Sequence, residues 1–197
     1  MRSSYSENNY GELLQQYAVL FKPRLAVELG ILDGYSTFYI ANGLKNNLYG
    51  HLESYDLFED YQYKHGNMHE VQVDLIHNNV DEYVTLKKGD AYEVHKEYKP
   101  GSIDMLHVDI SNTGKVVKDI IELWETKISE RGIICFEGGS NERDNIEWMK
   151  KYNMPSIKEE LETNEIINDG FFYCVYPKFP SMTVLIRKPI DYYGMGW

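Results

Sequence analysis

Apolar positions along the 197-residue chain alternate between helical and strand-like spacings. Residues 11–21 place Leu13, Leu14, Tyr17, Ala18 and Phe21 on one helical face. The helix stops at Lys22-Pro23-Arg24, because proline restricts the residue before it and donates no hydrogen bond. Leu25-Ala26-Val27-Glu28-Leu29 then reads as a short buried strand ending at Gly30. Helical spacing returns over 37–44, with Thr37, Ile40, Ala41 and Leu44 on one side. A second strand is expected over 48–57, interrupted by Glu53 and Ser54, and a helix over 67–79 with Val71, Leu75 and Ile76 inward. A third strand over 83–86 leads into Gly89-Asp90.

The turn residues Pro100-Gly101-Ser102 introduce a fourth strand over 103–110. Val117, Ile120, Ile121, Trp124 and Ile128 recur at helical spacing, and a fifth strand follows over 133–136. Residues 141–170 are charged and poorly patterned for a core, and they follow the fifth strand, where folds of this kind often place substrate-facing segments. In that segment Trp148, Met149, Tyr152 and Met154 suit either an acceptor pocket or a helix packing edge. Two late strands, 171–176 and 182–187, flank Pro177-Lys178-Phe179-Pro180 and predict an antiparallel hairpin. Strands alternating with helices predict one α/β domain over 1–197, a doubly wound and mostly parallel sheet with that hairpin at its end.

Charge narrows the partners. Thirty-one acids against 20 bases give a net charge of −11, which repels nucleic-acid phosphates and anionic membrane surfaces. No apolar run is long enough to span a bilayer, and the polar start MRSSYSENNY lacks a secretory signal core, so a cytoplasmic protein is expected. Cys135 and Cys174 each lie in an apolar run, without zinc-like spacing, and predict buried free thiols. The 17 tyrosines suggest rings half inside and hydroxyls at the surface. The aromatic tail Ile190-Asp191-Tyr192-Tyr193-Gly194-Met195-Gly196-Trp197 is expected to dock on this subunit or another, consistent with a homo-oligomer.

The most informative stretch is Glu28-Leu29-Gly30-Ile31-Leu32-Asp33-Gly34-Tyr35-Ser36, which joins a strand to a helix where open α/β sheets place their ligands. Gly30 permits a sharp turn and Gly34 marks the helix start. A pyrophosphate needs more glycines than these two, with bulky Ile31 and Leu32 between them, which disfavours a nicotinamide-dependent oxidoreductase. Glu28, ending a buried strand, requires a partner, either a ligand amino group or a local donor.

The pattern E-L-G-x-x-x-G-Y-S resembles motif I of the class I S-adenosylmethionine-dependent methyltransferases, with their Rossmann-like seven-stranded sheet. It is nearest to small-molecule O-methyltransferases of the catechol, cephalosporin-hydroxylase-like and family 24 types. The resemblance implies that Glu28, Gly30, Gly34 and Ser36 hold the methionine part of S-adenosylmethionine. It puts Asp56 on the ribose, with Glu53 as the fallback, and the turn Gly89-Asp90-Ala91 on the adenine, with Asp90 accepting from its amine.

Further along, Asp109 and Glu137 match the family's acids after the fourth and fifth strands, beside the cofactor and acceptor. Such a pair can hold a divalent hard cation that orients and acidifies a hydroxyl, so Mg²⁺ is the optional second cofactor. The chain departs from those families in having Glu137-Gly138 after strand five and Ile110-Ser111-Asn112 after Asp109. The third ligand is therefore unassigned, with Asn112, Asn141 and Glu142 as candidates. His107 is either a general base or a core-edge imidazole bonded to a carboxylate, and the other histidines read as surface residues. Methyl transfer to a small molecule, at oxygen, is the function implied, and a binding protein without transferase activity is the rival.

Overall fold

The computed structural model describes residues 10–189. The aromatic tail 190–197 lies outside them. A seven-stranded sheet has the order β3-β2-β1-β4-β5-β7-β6. Its strands are β1 Leu25–Leu29, β2 His51–Asp56, β3 Val84–Lys88, β4 Ile103–Val108, β5 Ile128–Glu137, β6 Phe171–Tyr176 and β7 Met182–Arg187. Strands β1 to β5 pair in parallel, and β7 runs antiparallel to both β5 and β6. The expected hairpin is therefore β6–β7, with β7 the single reversed strand.

Strand alternation divides the core. Val27, Leu29, Leu106, Val108, Ile134 and Phe136 face one layer, closed by helix α4, Gly114–Trp124. Ala26, Leu52, Met105, Ile133, Cys135 and Val184 face the other. That second layer is covered by α1 Tyr10–Phe21, α2 Tyr35–Asn47 and α3 Met68–His77. The four residues expected to face inward from α2, Thr37, Ile40, Ala41 and Leu44, are all fully buried. Close approach of α1 to α2 depends on glycine: a Cβ on Gly11 would lie 2.2 Å from the Tyr39 ring, and one on Gly43 2.6 Å from Ala18 Cβ.

Three departures have physical reasons. Ile128 opens β5 opposite Ile103 rather than ending α4, and a register irregularity follows before Met105 pairs with Ile133. The full burial that helical spacing suggested is thus supplied by the sheet. Residues 141–170 form four short helices, α5 Asn141–Asp144, α6 Glu147–Lys151, α7 Ile157–Thr163 and α8 Glu165–Gly170. They bury Ile157, Leu161 and Ile167 in the α4 layer, so much of this charged segment is a core cover. Cys174 is exposed while Cys135 is buried, because β6 is an edge strand. Both pair with Val184 from opposite sides of β7, about 10 Å apart and beyond disulfide reach.

Candidate active site

Strand order reverses between β1 and β4, and the crevice of an open α/β sheet opens at such a point. A cavity of about 560 Å³ occurs there, lined by Gly30, Ile31, Leu32, Asp56, Asp90, Ala91 and Asp109 among others. Gly30 has φ +93°, and an added Cβ would stand 2.2 Å from the Asp109 carbonyl oxygen. The β1 end is held on both sides, since Gly30 N donates to Tyr55 O at 2.8 Å and Asp109 N donates to Leu29 O at 2.8 Å. Only glycine permits this turn against the β4 tip.

Asp56 ends β2 on the cavity wall. Its Oδ2 accepts from Ile31 N (2.7 Å) and Leu32 N (3.1 Å), and its Oδ1 from Phe58 N (2.8 Å). The carboxylate expected on a ribose thus also pins the glycine turn. Asp90 lines the wall with Ala91 and accepts from Tyr92 N through Oδ1 at 2.9 Å. Glu53 is not in the lining; it pairs with Lys87 at 2.9 Å and accepts from the Tyr98 hydroxyl. Partial burial would raise its carboxyl, but the Tyr98 hydrogen bond and Lys87 outweigh that and hold it below the usual range.

Glu28, Gly34 and Ser36 lie behind the cavity lining. Glu28 is fully buried on the α2 side of the sheet. Its Oε2 accepts from Thr37 Oγ1 (2.6 Å) and Ser54 Oγ (2.8 Å), and its Oε1 pairs with His107 Nδ1 (3.1 Å). Local side chains are its partners. Gly34, at φ +77°, starts α2 where a Cβ would meet Val71 at 2.9 Å. His107, expected either as a general base or as a core-edge imidazole bonded to a carboxylate, is fully buried, outside the cavity lining and bonded to Glu28. Its Nε2 shares a hydrogen bond with the Tyr10 hydroxyl. Burial first, then the charges of Asp109, Glu137, Cys135 and Glu28, push the Tyr10 phenol well up, so it stays protonated.

Asp109 and Glu137 are brought together, as expected. Asn112 Nδ2 donates to Asp109 Oδ1 at 3.1 Å and to Glu137 Oε1 at 2.8 Å. Glu137 is 2% exposed, and Arg143, 4% exposed, faces it with Nε 3.5 Å from Oε1. This donor set does not fit Mg²⁺. An amide nitrogen lies between the carboxylates, a guanidinium flanks one of them, and the other ligand candidates, Asn141 and Glu142, are exposed.

Composition alone gave little sign of the other lining residues. Tyr61, Tyr63, Lys64 and His65, from the segment between β2 and α3, and Tyr92 also face the cavity. His65 is thus a cavity residue, although exposed as expected. The closely spaced Tyr61-Gln62-Tyr63 was the available signal, since aromatic rings offer a base a stacking face. Trp148, Met149, Tyr152 and Met154 line neither this cavity nor a second one of about 690 Å³ between α1 and the β6–β7 connection. Met149 is buried, and Trp148 and Tyr152 are exposed.

Comparison with known proteins agrees with this architecture. A search of curated proteins finds no significant match. Solved structures of similar fold include a methyltransferase from Geobacter sulfurreducens, with TM-score 0.68, 16% identity and coverage of 92% of this chain and 79% of that one. The O-methyltransferase TomG from Streptomyces achromogenes, solved with S-adenosylmethionine, has TM-score 0.63 and 16% identity over 93% of this chain and 82% of its own. An O-methyltransferase from Bacillus cereus, in complex with S-adenosylhomocysteine, has TM-score 0.65 and 17% identity over 95% and 84%. A family profile described as a methyltransferase domain matches residues 27–137, which run from β1 through the end of β5 and so include the whole crevice. The chain belongs to that family and is a class I S-adenosylmethionine-dependent methyltransferase.

Proposed function

We propose that the chain transfers a methyl group from S-adenosylmethionine to an oxygen of a small-molecule acceptor in the cytoplasm. The observation that carries this reading is the charge of the crevice. Asp56, Asp90 and Asp109 line it, against Lys64 and His65 at its exposed side. Such a wall attracts a sulfonium cation and hydrogen-bonds sugar hydroxyls, and it repels a pyrophosphate. Its volume of about 560 Å³ is ordinary for a small-molecule site.

In this reading Gly30, Asp56, Asp90, Ala91 and Asp109 touch the cofactor, while Glu28, Gly34 and Ser36 shape the turn from behind. When bound, S-adenosylmethionine supplies a methyl carbon open to in-line displacement, in which the carbon–oxygen bond forms as the carbon–sulfur bond breaks. Asp109, the more exposed of the two adjacent carboxylates, takes the acceptor's proton. Glu137 acts through Asn112 as a positioning residue. The free thiols Cys135 and Cys174 agree with a reducing compartment, and among the described residues no helix is long and apolar enough to cross a membrane. Self-association is part of the proposal, supported by Phe172 and Tyr173 on the edge strand, 44% and 41% exposed.

Binding without transfer is the second reading, favoured by one observation: Asn112 engages both carboxylates. Transfer of a radiolabelled methyl group from S-adenosylmethionine across a panel of hydroxylated small molecules separates the two. Labelled product that disappears in Asp109→Asn supports transfer. Tight cofactor binding with no labelled product from any acceptor favours the second reading.

A further inference from the structure

Two carboxylates at neighbouring strand tips repel each other unless a cation or hydrogen-bond donors offset them. In this chain the offset is built from the protein. Asn112 Nδ2 stands between Asp109 Oδ1 and Glu137 Oε1, at 3.1 and 2.8 Å. Arg143 Nε lies 3.5 Å from the same Glu137 oxygen. From these contacts we infer that Arg143 and Asn112 take the place of a divalent cation, so that cofactor binding and methyl transfer run without one. The inference rests on the reading of the crevice given above, but concerns only how its carboxylate corner is neutralised.

Several features make the arrangement hard to exchange for a metal. Arg143 is 96% buried, and its Nε and Nη1 have no hydrogen-bond partner, so Glu137 is the group that compensates its charge among the described residues. Drawing Glu137 onto a metal would leave a buried guanidinium uncompensated, which proteins avoid strongly. The backbone that carries the guanidinium is also anchored. Ser140 Oγ accepts from Arg143 N at 3.2 Å, and the Arg143 Cγ lies 3.6 Å from where a Gly138 Cβ would be. Mg²⁺ needs oxygens at about 2.0–2.1 Å in near-octahedral array. The position suited to bridging these two carboxylates holds an amide nitrogen. Among the described residues no group of three or more His, Cys, Asp or Glu side chains could hold an ion.

The test uses the full chain, freed of metal with a chelator, and Mn²⁺ as the probe read by electron paramagnetic resonance. S-adenosylhomocysteine binding is measured in parallel by thermal shift. The wild-type protein should leave the free Mn²⁺ signal unchanged, and chelator should alter neither the thermal shift nor methyl transfer. The double variant Arg143→Gln, Asn112→Asp, with its fold checked by that same thermal shift, should gain a Mn²⁺ site. Stoichiometric Mn²⁺ binding by the wild type that Asp109→Asn abolishes would overturn the inference. So would a folded double variant that gains no Mn²⁺, because Arg143 would then not be what excludes the metal. Absence of any S-adenosylhomocysteine shift in the wild type would instead count against the crevice reading, whatever Mn²⁺ does.

Discussion

Replacing Glu28 by glutamine separates two roles for the first acid of the glycine turn. If Glu28 serves the fold, the loss should appear in stability. Its carboxylate accepts from Thr37 and Ser54 at 2.6 and 2.8 Å and pairs with His107 at 3.1 Å, with no exposure. Glutamine keeps the shape and one acceptor oxygen, and its amide can donate to a neutral His107 that in turn donates to Tyr10. What is lost is the extra strength of hydrogen bonds to a carboxylate, about 1–2 kcal/mol in all. For a chain of this length that lowers the melting temperature by roughly 2–8 °C. Glu28→Ala strands three buried partners and leaves a void, costing about 3–5 kcal/mol. Because Glu28 does not line the cavity, the folded glutamine variant should bind S-adenosylhomocysteine within about threefold of wild type, under 0.7 kcal/mol. The assays are thermal unfolding and isothermal calorimetry on the same preparations. An unchanged melting temperature with a tenfold or greater loss of affinity would refute the reasoning and return Glu28 to the ligand.

Gly30→Ala should be among the most damaging small changes, costing about 2–4 kcal/mol from positive-φ strain and from a Cβ 2.2 Å from the Asp109 carbonyl oxygen. Differential scanning calorimetry reads it, and a shift under 2 °C would count against the turn geometry. Asp56→Asn should loosen the turn, since one carboxylate oxygen serving Ile31 and Leu32, or the other serving Phe58, becomes a donor, at about 1–3 kcal/mol. Its S-adenosylhomocysteine affinity should fall more than that of Glu28→Gln. Glu53, held below the usual carboxyl range by Tyr98 and Lys87 despite burial, stabilises the fold above its unfolded pKa and loses that contribution as pH falls through its folded one. Glu53→Gln should therefore flatten the acid limb of the stability–pH curve measured by urea unfolding; an unaltered limb would contradict the assignment. Burial first, with Cys174 adding, pushes the Cys135 thiol up, so a thiol reagent should titrate Cys174 in the native protein and both cysteines in denaturant.

Much of the sheet was legible because β1, β4, β6 and β7 and the inner part of β5 are short, largely apolar runs set off by glycine or proline, and because α4 presents Val117, Ile120, Ile121 and Trp124 on one face over about two turns. The segment after β5 was not. Its helices span 4 to 7 residues, too short for a 3.6-residue period to declare itself, so Ile157, Leu161 and Ile167 looked unrelated. At the site, the resemblance to the methyltransferase motifs pointed to Asp56, Asp90 and Asp109, and all three line the crevice. What each acid bonds to was not visible, because the partners are distant in sequence. Glu28 meets Ser54 and His107 through the registers of β2 and β4, and Glu137 meets Asn112 through a loop. Arg143, four residues past a double glycine, carries no mark of burial in the sequence, and its place in α5 sets it against Glu137. A sequence carries burial and period well, and it carries side-chain partnership across strands only after pairing is known.

The decisive measurement is a crystal structure of the chain grown with S-adenosylhomocysteine. Density should fill the crevice between Gly30, Asp56, Asp90 and Asp109, with the sulfur toward Asp109 and no contact to the Glu28 carboxylate. A crevice left vacant at saturating ligand, or a nucleoside seated elsewhere on the molecule, would contradict it.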